Sequence, residues 1–281
     1  MIEARSFMQR GLRFNKGSKQ LWLEYTKLEL VYIAKIITRR QLLGVDPGRT
    51  SAGKEALGDE DMVKGSGRTT EEDGLELKDA GNVVDSPLNN LEGNPALNGA
   101  IPLAVFDAAT KEIPKDISFV FSFFNLFSSF TNLPCLPKML GHVTDHSLSN
   151  YPTSPLALFM AIKTPIIGVE SNSPDFPSEI GNMLSKIATS LDKAFPRLEL
   201  YRLVISALLE ILDIEDLDPA VAIVIRGSLA KYFRQAEAGD DIDPGMYHTW
   251  AKFLKSNGKP DAAHTVLTRS HEAFPSVAIS I

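Results

Sequence analysis

Apolar residues along most of this chain recur at three- and four-residue intervals, and that periodicity restricts what it can fold into. Ala4, Phe7, Met8, Gly11 and Leu12 share one helical face, as do Leu21, Tyr25, Leu28 and Tyr32. Tyr201, Val204, Ile205, Leu208, Leu209 and Leu212 form another stripe. The longest runs through Val221, Val224, Ile225, Ser228, Leu229, Tyr232 and Phe233. No stretch alternates polar and apolar residues long enough to build a sheet. The expected fold class is all-α.

The punctuation agrees. Asp218-Pro219 and Asp243-Pro244 each place a capping carboxylate before a first-turn proline. Asn257-Gly258 suits a left-handed helix stop, and Pro260 can start the next helix. Helices are expected to end in an aromatic or aliphatic residue followed by proline, at Ile113-Pro114, Tyr151-Pro152, Phe195-Pro196 and Phe274-Pro275. These dipeptides lie at intervals of 38, 44 and 79 residues, the last near twice 39. A period near forty is what a solenoid of helix pairs requires, each pair burying a face against the next. The expected units are a leading half, 3–14, then 19–43 with 101–113, 116–130 with 134–150, 154–169 with 176–195, 198–212 with 219–238, and 244–256 with 260–273. The leading half would leave the face of Phe7, Met8 and Leu12 uncovered.

One segment breaks the pattern. Residues 44–100 are rich in Gly, Ser, Asn, Asp and Glu and contain no aromatic residue before Ala100. Such a stretch buries too little surface to offset its ordering entropy, so a disordered acidic insertion is expected within the first helix pair. The domain organisation is therefore 1–43 as the start of the solenoid, 44–100 as the insertion, and 101–281 as the remainder. Charge divides likewise. Residues 1–43 hold nine Lys or Arg against three Glu, and residues 45–98 hold five basic against twelve acidic residues.

Cys135, the one cysteine, has no partner for an intrachain disulfide, which suits a reducing compartment. An acid and two arginines interrupt the first ten residues, unlike a signal peptide. The most apolar stretch, Ile117 to Phe130, falls short of the roughly 20 apolar residues that span a bilayer and reads as a buried helix.

The first units carry a more specific pattern. Trp22, Tyr25 and Glu29 stand at i, i+3 and i+7 in one helix, preceded by Ala4-Arg5 and Gln9-Arg10-Gly11-Leu12 in another. This arrangement resembles the half-a-tetratricopeptide (HAT) repeat. The last unit is a degenerate copy, with Trp250 and Phe253, then Ala262-Ala263 and Val266-Leu267, closing on Phe274-Pro275; Asn257 stands where the glutamate would be. The strings Glu3 to Phe14, Leu21 to Tyr25 and Tyr32 to Ile36 are similar to one HAT family, the small nucleolar RNA-associated subunit of the UtpB complex in the small-subunit processome. The close similarity covers residues 3–43 and is weaker over 101–281. The resemblance implies a nucleolar, non-enzymatic scaffold for pre-rRNA processing and small-subunit rRNA maturation. It implies as partners the β-propeller subunits of that complex and the snoRNA–pre-rRNA particle, reached directly or through them. It also implies further repeats preceding Met1.

Read as motif residues, Ala4, Arg5, Arg10, Gly11, Trp22, Tyr25, Glu29, Trp250, Phe253 and Pro275 are expected to pack helices together, not to do chemistry. Arg5, Arg10, Arg13, Lys16, Lys19, Arg39 and Arg40 form a candidate basic contact patch that could meet phosphates. Arg39 and Arg40 also suit the C-terminal end of a helix dipole. His142 and His146 share a helical face, yet no third ligand or general base accompanies them. No phosphate-binding loop or nucleophile elbow occurs. No catalytic, cofactor or metal site, membrane contact or small-molecule substrate is expected. Three alternatives remain: a HAT scaffold of pre-mRNA splicing or 3′-end processing, a TPR-like module that docks peptide tails, and, as the last of them, an enzyme with an unusual site.

Overall fold

A computed structural model of the chain describes residues 2–42 and 97–275. The described residues form eleven α-helices and one short 3-10 turn, without a strand. The expectation for the acidic insertion 44–100 lies almost wholly outside the described residues. Its last four positions are described, and there Leu97 is already buried and Gly99 adopts a left-handed φ of 79° in the turn that opens the next helix.

The described residues divide into two compact units, 2–42 and 97–109 with 132–135, and 110–131 with 136–275. In the first unit, α1 (Ile2–Phe14) packs against α2 (Lys19–Leu42), and α3 (Ala100–Glu112) lies mostly in the same unit. Gly11 makes room for the Leu21 side chain, whose Cδ2 would lie 3.3 Å from a Cβ at that position. Leu12 is buried, whereas Phe7 is 79% exposed, so the face expected to lie open is partly closed by α2. Helix geometry explains the division: Arg5, Met8 and Leu12 follow one side of α1, and Phe7 lies on another. The expected pairing of α2 with α3 is not among the main helix–helix contacts, and the packing partner of α2 is α1.

The second unit holds α4 (Ile117–Ser128), α5 (Leu136–Asn150), α6 (Pro155–Lys163), α7 (Phe176–Leu191), α8 (Arg197–Leu212), α9 (Pro219–Ala238), α10 (Pro244–Ser256) and α11 (Pro260–Ala273). Consecutive helices pack together, α4 on α5, α6 on α7, α8 on α9 and α10 on α11. Next-but-one contacts join α4 to α6, α6 to α8 and α7 to α9. The apolar stretch at 117–130 becomes α4, whose Phe119, Val120, Phe123, Phe124 and Phe127 are all buried. Each such side chain taken from water contributes about 1.5–3 kcal/mol. No helix among the described residues is long and apolar enough to cross a membrane.

The helix ends follow the chemistry read from the sequence. Asp218 accepts from the Ala220 amide at 2.7 Å and Asp243 from the Met246 amide at 2.8 Å. Asn257 closes α10, Gly258 turns with φ of 71°, and Pro260 opens α11. α3, α5 and α11 stop one residue before Ile113, Tyr151 and Phe274. α7 stops earlier, at Leu191, and Phe195 lies beyond it, 81% exposed. The Phe195 amide donates to the Thr153 carbonyl at 2.9 Å.

Candidate functional site

Of the motif residues of the first unit, Arg5, Gly11, Trp22, Tyr25 and Glu29 meet between α1 and α2, whereas Ala4 and Arg10, expected to pack there, are exposed because they lie on the side of α1 turned from α2. The Arg5 guanidinium donates from Nε and Nη2 to the two oxygens of Glu29, at 2.7 and 2.6 Å. Its carbon lies 5.2 Å from the centre of the Tyr32 ring. Hydrogen bonding to Glu29, opposed by burial, raises the Arg5 pKa above its ordinary value. Gln9 Nε2 donates to the Tyr25 hydroxyl at 3.1 Å. Trp22 is buried and its indole N–H donates to the Lys16 carbonyl at 2.8 Å, fixing the turn between the helices. This set holds two helices in register.

A second clamp joins three helices in the other unit. The ring of Trp250 on α10 stacks on Phe233 of α9, centroids 5.4 Å apart, and the Arg269 guanidinium of α11 lies 5.2 Å from its centre. Arg269 Nη1 donates to Glu237 Oε2 at 2.6 Å, and the Tyr247 hydroxyl donates to Glu237 Oε1 at 3.1 Å. Burial, then that hydrogen bond, pushes Tyr247 up to about 12. Phe253 is buried and approaches Phe233, while Phe274 meets the Tyr247 ring edge-on. Pro275 follows, exposed. The glutamate absent at Asn257 thus has a counterpart in Glu237, supplied by the preceding helix. Sequence spacing did not reveal it, because Glu237, Tyr247 and Arg269 stand on three different helices.

The candidate basic patch separates into parts. Arg10, Arg13, Lys16, Lys19 and Arg39 are exposed. Arg5 is committed to Glu29, and Arg40 is 4% exposed, turned inward from its neighbour Arg39. Arg40 therefore does not share the exposed surface, since successive residues on a helix point about 100° apart.

Two clefts open in the second unit. One, about 340 Å³, lies between α8 and α10 and is lined by Arg202, Ser206, Asp243 and Thr249 around Ile205, Leu209 and Met246. Arg202 pairs with Asp243 across it. The other, about 410 Å³, is lined by Asp192, Tyr201, Lys231, Tyr232 and Gln235. Burial raises the Tyr201 and Tyr232 hydroxyls above their ordinary values. His142 and His146 stand on α5, and no group of three metal-ligating side chains occurs among the described residues. Cys135 is buried. No family model matches the chain, and no curated protein matches it.

Proposed function

We propose that this chain is a non-enzymatic scaffold, an α-solenoid of HAT pairs that holds partner proteins in a nucleolar pre-ribosomal particle during maturation of the small-subunit rRNA. The reading rests on the Arg5–Glu29 clamp: two residues of the HAT-like pattern, on successive helices, meet with bidentate geometry. The alternation of consecutive and next-but-one helix contacts from α4 to α9 supports the solenoid architecture. The identity of the particle rests on the resemblance of residues 3–43 to the small nucleolar RNA-associated HAT family. Its β-propeller subunits are the proposed protein partners, and the snoRNA–pre-rRNA particle is the assembly it serves.

Isolation of the tagged full chain from cells, with its bound proteins and RNA identified, tests this. Recovery of β-propeller processome subunits with pre-rRNA is expected. Recovery of spliceosomal or 3′-end-cleavage proteins instead would move the scaffold to another machine, and recovery of neither would overturn it.

A further inference from the structure

We propose that the cleft between the C-terminal ends of α7 and α9 binds the guanidinium of an arginine side chain presented by a partner protein. That the cation arrives on a protein rests on the scaffold reading; the preference for a cation does not. The cleft, about 410 Å³, is lined by Asp192 at the end of α7, Gln235 and Gly239 at the end of α9, and Tyr201 and Tyr232. The two tyrosines are only 6% and 3% exposed, yet neither hydroxyl has a hydrogen-bond partner among the described residues. Neither is among the sealed polar atoms that lack a partner, so both reach solvent, and the cleft they line is the opening that admits it. Polar groups on buried side chains are ordinarily hydrogen-bonded. Here that unused capacity faces a ligand-sized space.

The surroundings set the sign of the ligand. A helix C-terminus carries roughly half a negative charge, and the last turns of α7 and α9 hold no basic side chain to offset it. Asp192 stands in the lining, and Asp241 reaches Gly239, where its Oδ2 would lie 3.1 Å from a Cβ. Tyr201 feels both carboxylates: burial and then Asp241 raise its hydroxyl, Arg197 opposes them, and Asp192 adds to the rise. Lys231 is the opposing charge in the lining. It is exposed, and its ammonium lies over the Tyr232 ring, 5.8 Å from the centre, so the aromatic wall already attracts a cation. Its flexible stem lets it yield that place to another.

The acceptors are a carboxylate, two phenolic oxygens and an amide oxygen, and no three metal-ligating side chains gather among the described residues. A cleft of this volume suits an organic cation better than a metal ion. Five N–H donors in a fixed plane, able to lie on an aromatic ring, match dispersed acceptors beside two tyrosines better than a compact ammonium does.

The test titrates the purified full chain with a glycine-arginine-glycine peptide blocked at both ends, followed by amide NMR shifts. The same peptide with citrulline, lysine or glutamate in place of arginine provides the comparison. Arginine should bind at least about fivefold tighter than citrulline, its uncharged isostere, and tighter than lysine. Tyr201→Phe, Tyr232→Phe and Asp192→Asn should each weaken arginine binding about fivefold. Lys231→Gln should tighten it about twofold, because it removes a screened repulsion. Lys252→Gln, on the exposed side of α10, should leave it unchanged. Circular dichroism should match the parent throughout, since the tyrosine changes keep the ring and the other altered side chains are exposed. Equal binding of arginine and citrulline, or of arginine and lysine, overturns the proposal. So does binding of the glutamate peptide that weakens in Lys231→Gln, which would make this an anion site. Failure here leaves the particle recovered from cells unaffected, and failure there leaves the peptide titration unaffected.

Discussion

Arg5 of α1 holds Glu29 of α2 through both carboxylate oxygens, while the two partners differ sharply in exposure, 26% for the arginine and 1% for the glutamate. The glutamate is thus the member that depends on the pair. Arg5→Met leaves a buried carboxylate without its cation and is expected to cost about 3 kcal/mol of unfolding free energy. Adding Glu29→Leu removes the stranded charge and should recover most of that loss. Arg5→Lys keeps the charge but not the planar fork, so it should fall between. Urea unfolding of the single and double variants measures the coupling; strictly additive losses would show that the two side chains act independently.

Glu237 organises the other clamp, and its effect is visible in pH. Tyr247 is raised to about 12, chiefly by burial and then by the hydrogen bond it donates to Glu237. An unfolded tyrosine ionises near 10. A proton retained by the folded state at higher pH gives stability that is complete below about pH 10 and is lost as pH rises through about 12. The loss assigned to this group is about 2–3 kcal/mol. Tyr247→Phe should show a shallower fall in stability between those limits, and Glu237→Gln should bring the tyrosine's ultraviolet titration to lower pH. Identical pH profiles for parent and Tyr247→Phe would dissociate the alkaline transition from this residue.

The sequence made helices legible where local chemistry decides them. Asp218, Asp243, Asn257-Gly258 and Pro260 mark termini because capping and φ preferences act within a few residues. Buried stripes were legible for the same reason, though Val224, read as part of one, is 51% exposed. It lies at the edge of the α9 stripe, where period alone cannot separate core from rim. Packing between distant segments was less accessible. The Arg5–Glu29 contact spans 24 positions, and it was suggested only by a motif. Glu237 and Arg269 are 32 positions apart and belong to no such motif, so nothing in their spacing announced them. The inward turn of Arg40 was invisible too, since a charged residue at a helix end ordinarily favours solvent.

Ser270 is fully buried on α11, and its hydroxyl has no hydrogen-bond partner. Such a group loses water without replacing it, a cost of about 1–3 kcal/mol. Ser270→Ala removes the hydroxyl, introduces the best helix former and leaves almost no cavity. It should stabilise the chain by about 1 kcal/mol or more, read as a higher midpoint in urea at unchanged slope. A lower midpoint would mean that the hydroxyl is bonded in solution.

Asp243 performs two tasks with its two oxygens. Oδ1 caps α10 by accepting from the Met246 amide at 2.8 Å, and Oδ2 pairs with Arg202 across the cleft between α8 and α10. The capping bond is partly buried, whereas Arg202 is 54% exposed, so the cap should dominate. Asp243→Ala is expected to cost about 1–2 kcal/mol. Asp243→Asn retains a capping oxygen and loses only a solvent-screened ion pair, so its cost should stay within about 0.5 kcal/mol. Asp218→Ala, which removes a cap with no ion pair attached, should resemble Asp243→Ala. Thermal unfolding at low and high salt distinguishes the two tasks. If Asp243→Asn proves as damaging as Asp243→Ala, and its deficit shrinks in salt, then the bridge to Arg202, not the cap, ties α10 to α8.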